Sequence, residues 1–525
     1  MARSTGSTPT PTAGTPVTAA GEGTKGLAAG SLGLIGSTVI GLASTAPVYS
    51  LAATLGFIVI AVGAQTPIAI LLAFIPMFFV AFAYRELNSA VPDCGTTFTW
   101  STKAFGPWVG WMGGWGVAVA GTIVLANLAQ IGGYYLWLLI APDVAENTVV
   151  VTATGVVFII VMVFVSYRGL QIGEVLQNIL IAVQYLALAL FVIFAFVSVA
   201  NGTAPEGSTA PQLSWFDPFA FTDLSGFTEA ILLALFIYWG WDTCLALNEE
   251  TKDPARTPGR AALLSTLILV VTYVLVAVAA MSYAGLGESG TGLGNEGNAD
   301  DVFFALKDAL FGPWAWLLVV AVMVSAVSST QTTILPTARG TLAMAVYKAL
   351  PARFGEVHPR FRTPAFSTFV MGAVAVVFYV GMTLVSENIL EDTIASLGLA
   401  IAFYYGITGF ACVWFFRRTA FTSFRNVIFR FLFPLLGGIL LAAAFVKSAI
   451  DMLDPEYGST TLLGVGSVFV VGVGSLLVGA VLMVVWALLP GSKPFFRGES
   501  LNAETQVLVP DVDQPKGRSV DGGLI

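Results

Sequence analysis

The sequence predicts an all-α polytopic membrane protein with twelve transmembrane helices. Three observations predict it. The 525 residues are 56% hydrophobic and only 10% charged, where soluble domains carry roughly a quarter charged residues. Many apolar runs exceed the ~18 residues that mark a membrane-spanning helix. Two of the runs, the first and the sixth, hold helix-breaking residues at mid-length, the pattern that points to a transport core built from two inverted five-helix repeats.

The elements follow in order. Met1–Lys25 is rich in Ser, Thr, Gly, Pro and Ala and reads as a disordered tail (residues 1–25). It lacks the apolar core of a signal peptide. Spans then begin near Ala29, Ala64, Phe105, Thr148, Ile172, Leu224, Gly259, Phe311, Pro364, Glu391, Arg425 and Thr460. Repeat one is expected over residues 26–200, repeat two over 224–417 and two accessory helices over 425–489. The transporter unit is therefore 26–489, and 490–525 reads as a flexible polar tail. Asp300–Leu310 is expected to form a short helix outside the membrane.

Lysine and arginine set the orientation. The even-numbered loops hold Arg85 and Lys103, then Arg168, then Lys252, Arg256 and Arg260, then Arg339 through Arg362, and then Arg417, Arg418 and Arg425. The odd loops are acidic, with Lys307 and Lys447 as their cations. This segregation places both termini in the cytoplasm and the protein in the plasma membrane. Cys94, Cys244 and Cys412 match no metal or disulfide spacing. His358 lies in a polar loop. No catalytic triad, metal cluster or phosphate loop is visible, so neither an enzyme nor a cofactor or metal is expected, and no nucleic-acid partner.

The first break, Gly41–Pro47, reads GLASTAP. Proline removes a backbone donor, glycine loosens the chain, and Ser and Thr hydroxyls bond local backbone. Freed backbone groups in hydrocarbon cost several kcal/mol each unless protein or a cavity receives them. The amides of Ala43, Ser44, Thr45 and Ala46, with the positive end of the half-helix from Pro47, would seat a carboxylate. The second break spans Phe236–Cys244, FIYWGWDTC. Carbonyls near Phe236–Trp239 would accept from an ammonium group, Tyr238, Trp239 and Trp241 would supply flat walls, and Asp242 is an acid deep in a span, a functional hypothesis by default. The candidate substrate site is therefore Gly41, Ala43, Ser44, Thr45, Ala46, Phe236, Tyr238, Trp239, Gly240, Trp241 and Asp242. An α-amino acid satisfies both halves; a diamine would need acids in place of the N–H seat.

Three motifs resemble the amino acid–polyamine–organocation permease superfamily. They are Thr45–Gly56 (TAPVYSLAATLG), Tyr84-Arg85-Glu86-Leu87 followed by Pro92, Gly95, Phe98 and Trp100, and FIYWGWD followed by EETKDPARTP from Glu249. The resemblance covers roughly Gly26–Leu489. It implies a LeuT-type fold of 5+5 inverted repeats and secondary transport of amino acids by alternating access, with a polyamine importer or an ion-independent exchanger as alternatives. Proton-coupled members carry a lysine on the fifth span where this chain has Gln184. Sodium-coupled members of the fold place oxygens of the first and eighth helices around the ion, and Ser328, Ser329, Thr332 and Thr333 offer hydroxyls in the run SAVSSTQTTILPTAR. Coupling to H+, coupling to Na+ and exchange without an ion stand side by side on the sequence.

Overall fold

A computed structural model of the chain describes residues 24–386, 388–455, 457–458 and 460–508. Residues 1–23 and 509–525, most of the two expected tails, lie outside the described residues. Among the described residues the regular structure is helical but for a small antiparallel hairpin, β1 (Thr461–Leu462) and β2 (Val465–Gly466).

The first crossing is split into α1 (Leu34–Ser44) and α2 (Pro47–Val62). The chain then returns through α3 (Thr66–Ala90), makes the short α4 (Thr97–Phe105), and crosses again as α5 (Pro107–Ile140). After the one-turn α6 (Pro142–Ala145) come α7 (Thr148–Arg168) and α8 (Leu170–Ala200). The sixth crossing is again split, into α9 (Leu224–Ile237) and the one-turn α10 (Thr243–Ala246). Then follow α11 (Thr257–Ala284), the short α12 (Val302–Phe311), α13 (Trp316–Val346), α14 (Ala365–Val385) and α15 (Ile389–Phe415). The turn α16 (Phe424–Asn426) runs through a π-helical stretch into α17 (Phe433–Asp451), and α18 (Ser467–Ala487) and α19 (Lys493–Phe496) close the described chain.

Among the described residues, ten helical stretches are long and apolar enough to cross a membrane. The first of them, Leu34–Ala90, has 57 residues. At about 1.5 Å per residue that is far more than one ~30 Å hydrocarbon core, and the chain reverses within it at Gly63. Divided there, and with the split α9–α10 added, the count is twelve. The twelfth helix starts at Ser467 rather than near Thr460, because the intervening residues pair as the hairpin. The helix expected at Asp300–Leu310 forms as α12, with Asp301 accepting from the Phe304 amide at its N-terminus (2.9 Å).

The long α5 runs through the middle and packs along α13, α15, α4 and α7. Small residues allow this. A Cβ on Gly133 would come 2.5 Å from the Val151 carbonyl, and one on Gly155 would come 2.6 Å from that of Ala129, so α5 and α7 touch backbone to backbone.

The loops around Lys25 are closed by charge. Lys25, expected to end a disordered tail, is buried, its ammonium 2.6 Å from Asp93 and 2.5 Å from Glu249. Burial opposes that charge, but the two carboxylates outweigh it and hold the lysine well above its ordinary pKa. Nearby, Arg339 grips Glu250 through two nitrogens, at 2.5 and 2.9 Å. Tyr347 donates to Asp93 at 2.7 Å. Leu32 pairs with the backbone of Glu250 and Lys252, which fixes the start of α1 beside the end of the sixth crossing.

Residues 490–508, expected to be flexible, are packed on this face. Phe495 and Leu501 are fully buried beside Phe98, Trp111 and Tyr347. Ser500 donates to the Tyr347 carbonyl (2.5 Å), and Lys103 donates to the carbonyls of Asn502 and Thr505 (3.1 and 2.7 Å). Two apolar side chains in a polar stretch suffice to anchor it.

Candidate substrate site between two broken helices

The first break is built by Ala46. It adopts a left-handed conformation (φ 46°, ψ 61°), and Pro47 starts the next helix without an N–H to give. The amides of Thr45 and Ala46 are not free, which differs from the sequence reading. They bond to the carbonyls of Leu42 and Ala43 (both 3.2 Å) in a tightened last turn. A donor beside the gap belongs instead to the start of α2: the Tyr49 amide reaches the Ser325 hydroxyl at 3.3 Å. The carbonyls of Ser44 and Thr45 receive side-chain hydroxyls, from Ser329 (2.8 Å) and Ser50 (2.6 Å).

Gly240 makes the second break, with φ +113°, a conformation that favours glycine. The chain turns there, so the carbonyls of Ile237 and Tyr238 receive no backbone hydrogen bond among the described residues. The two breaks meet. A Cβ on Gly240 would lie 2.7 Å from the Ser44 carbonyl oxygen, and the Ser44 and Thr243 hydroxyls are 2.8 Å apart.

Between the breaks lies a hollow of about 10 Å³, room for about one water. Of the expected residues, Ser44, Thr45, Ala46, Phe236, Trp239 and Ser329 line it. Tyr49, Ser50, Val124 and Leu128 line it too and carry no local sequence signal. The other expected residues stand further off. Gly41 packs on Ser265 and the Trp241 carbonyl. Ala43 is buried in α1 and accepts from Ala46. Tyr238 donates to the Ile70 carbonyl (3.2 Å) with its ring against Phe74 and Tyr273. Trp241 packs on Tyr84 and Tyr405. Asp242 faces a tyrosine pair: Tyr405 donates to it at 2.8 Å and Tyr404 at 3.3 Å, while the Trp239 indole donates to Tyr404 at 2.5 Å. Tyr273, which sequence reasoning missed, is buried with its hydroxyl beside Thr45.

The residues considered for coupling divide similarly. Ser329 alone among them bonds to a break, through the Ser44 carbonyl. Ser328 donates to Gln177. Thr332 bonds back to its own helix at Ser329 and Ser328 (3.2 and 3.4 Å). The Thr333 hydroxyl and both polar atoms of the Gln184 side chain are buried without a partner among the described residues.

Comparison with known proteins decides the family. The profile that describes amino acid permeases matches residues 30–461. The chain belongs to the amino acid permease family. This permease is 28% identical to an uncharacterized transporter of Mycobacterium tuberculosis over 346 residues, 65% of this chain and 71% of the relative. It is 24% identical to the branched-chain amino acid permease of Lactococcus lactis over 424 residues, 77% of this chain and 86% of the relative. It is 23% identical to the serine/threonine exchanger of Bacillus subtilis over 339 residues, 64% of this chain and 71% of the relative. The chain is a membrane transporter rather than an enzyme, as its composition led one to expect.

Proposed function

We propose that this permease carries amino acids with apolar side chains across the plasma membrane by alternating access, as cation-coupled uptake with both termini cytoplasmic. The observation that carries the reading is the meeting of two mid-membrane breaks at Ser44 and Gly240, around a hollow whose other wall is apolar. Backbone that leaves the helix within a membrane needs such a lining role. The amides of Val48 and Tyr49, at the positive end of α2, hold the substrate carboxylate. The carbonyls of Ile237 and Tyr238 receive its ammonium group. Val124, Leu128, Phe236 and Trp239 receive the side chain, in keeping with the branched-chain permeases among the relatives. Closed as described, the hollow is smaller than any amino acid, so substrate enters only when α1–α2 and α9–α10 part. Ser329 and the Ser44 carbonyl supply oxygens for a coupling cation; Asp242, held by Tyr404 and Tyr405 away from the hollow, orients the second break. That position speaks against the polyamine reading, which needs an acid facing the substrate.

The test is uptake by proteoliposomes holding the full chain, with labelled L-leucine. Saturable uptake driven by a sodium or proton gradient is expected, insensitive to excess putrescine. Thr45→Leu, which fills the hollow, abolishes it while the protein still inserts. Equal uptake by Thr45→Leu, or no uptake of any of the standard amino acids by the unmodified chain, overturns the reading.

A further inference from the structure

One face of α3 leads to a cluster of arginines that transport by the broken helices does not use. Glu86, buried near the end of α3, pairs with Arg425 and, at 2.8 Å, with Arg430. Both arginines come from the turn and the π-helical stretch that lead into α17. Arg85 beside Glu86 and Arg260 near the start of α11 have no ion pair among the described residues. The charges that act on Arg85 are Glu86 and two of its own sign, Arg425 and Arg260. One carboxylate among these four guanidinium groups leaves a surplus of three positive charges.

Aromatic rings hold the like charges together. The Arg85 guanidinium lies over Phe82, 5.9 Å from the ring centre, and that of Arg425 over Phe429, at 5.6 Å. The two rings stack with their centres 4.5 Å apart. Two cations kept side by side in this way are a seat for an anion with several oxygens. Guanidinium groups suit phosphate, whose oxygens they grip in pairs.

The surroundings indicate what the phosphate belongs to. Away from Arg85, the same face of α3 carries Phe82, Phe78 and the exposed Ile75 at helical spacing. α3 packs against both α11 and α17, whose Leu264 and Leu432 are exposed. Phe421 and Phe424, just before Arg425, are exposed as well. In a bilayer such a strip meets hydrocarbon, and arginines at its end stand at the level of the headgroups. Basic pockets between membrane helices are where anionic headgroups bind.

We propose that Arg85, Arg260, Arg425 and Arg430 bind the phosphate of one anionic phospholipid, whose chains lie along the outer face of α3. Phosphatidylglycerol brings one net negative charge, whereas phosphatidylcholine cancels its phosphate with its own ammonium group. The site is independent of which substrate the permease carries.

The test is native mass spectrometry of the full chain released from detergent, titrated with palmitoyl-oleoyl phosphatidylglycerol or the corresponding phosphatidylcholine. One phosphatidylglycerol per chain should bind roughly tenfold or more tightly than phosphatidylcholine, since each arginine near an anionic headgroup contributes about fivefold. Arg85→Gln should lower that preference about fivefold, and Arg85→Lys should keep part of it. Arg260→Gln, at an exposed position, should lower it to a similar extent, so the site stays testable if the Arg85→Gln variant fails to fold. Arg353→Gln, which takes an equal charge from another loop, should leave it unchanged. Excess inorganic phosphate should not displace the lipid. Equal retention of the two lipids, a preference that survives both Arg85→Gln and Arg260→Gln, or one that Arg353→Gln lowers as much, overturns the site. Displacement by inorganic phosphate overturns a lipid as its occupant.

Discussion

Gly240→Ala is the sharpest perturbation of the site. The added methyl would lie 2.7 Å from the Ser44 carbonyl oxygen and 2.8 Å from its carbon, both backbone atoms. Either the two breaks separate or the residue leaves φ +113°. Holding an L-residue in a sparsely populated backbone region costs about 1–3 kcal/mol. Overpacking against a fixed neighbour costs about 1–3 kcal/mol more. The closed arrangement thus loses about 2–6 kcal/mol, and even the lower figure is about 30-fold in a rate or equilibrium constant. We expect kcat/KM for L-leucine uptake to fall at least 30-fold, with normal insertion and yield. The control is Gly381→Ala in α14, where a Cβ meets nothing within 4 Å; uptake there should stay within about twofold, since Ala is the better helix former. Gly240→Ala uptake within about threefold of the unmodified chain would refute the claim that the breaks must touch.

Other consequences follow from the same geometry. Ser329→Ala removes the hydroxyl that caps the Ser44 carbonyl at 2.8 Å; at about 1 kcal/mol for one such bond, uptake should fall about fivefold and its dependence on the driving cation should shift, measured by uptake against a cation titration. Lys25→Ala leaves Asp93 and Glu249 buried without their cation, a loss of about 3–5 kcal/mol. The face that Lys25 closes should open, and Cys94, buried beside Glu249 (amide to carboxylate 2.9 Å), should become reactive to a maleimide applied from that side. Asp301, outside the spans at the start of α12, has its carboxyl pushed up to about 7 by burial, against the hydroxyl of Tyr135 and the Phe304 amide. Its folded pKa exceeds its unfolded value, so the folded state binds more protons between about pH 4 and 7 and loses stability as pH rises through that window. Thermal unfolding should show this slope, and Asp301→Asn, which keeps the cap, should flatten it.

Much of the fold was legible because membrane helices advertise themselves by length and apolar content. The first break was legible because Gly41 and Pro47 sit where lipid permits neither without a reason, and the second because Gly240 and Asp242 interrupt an apolar run. What the break does with its amides was not legible. The tightened turn at Thr45 and Ala46 pairs those two amides and leaves that of Tyr49, on the Ser325 hydroxyl, beside the hollow, a matter of two dihedral angles at Ala46. Val124 and Leu128 reach the hollow from a helix nearly eighty residues later, and no local pattern separates them from other apolar residues of α5. The tyrosine pair that holds Asp242 is likewise brought across by packing, from α15. Lys25 was hidden by the composition of the residues before it. Phe495 and Leu501 were hidden by the polar stretch around them, since composition averages over the two side chains that do the anchoring.

The measurement closest to the central claim is a cryo-electron microscopy map of the full chain in nanodiscs with saturating L-leucine. The account predicts ligand density between Ser44 and Gly240, its carboxylate on the amides of Val48 and Tyr49 and its ammonium on the carbonyls of Ile237 and Tyr238. Breaks closed on each other with no density between them, while transport proceeds, would contradict it.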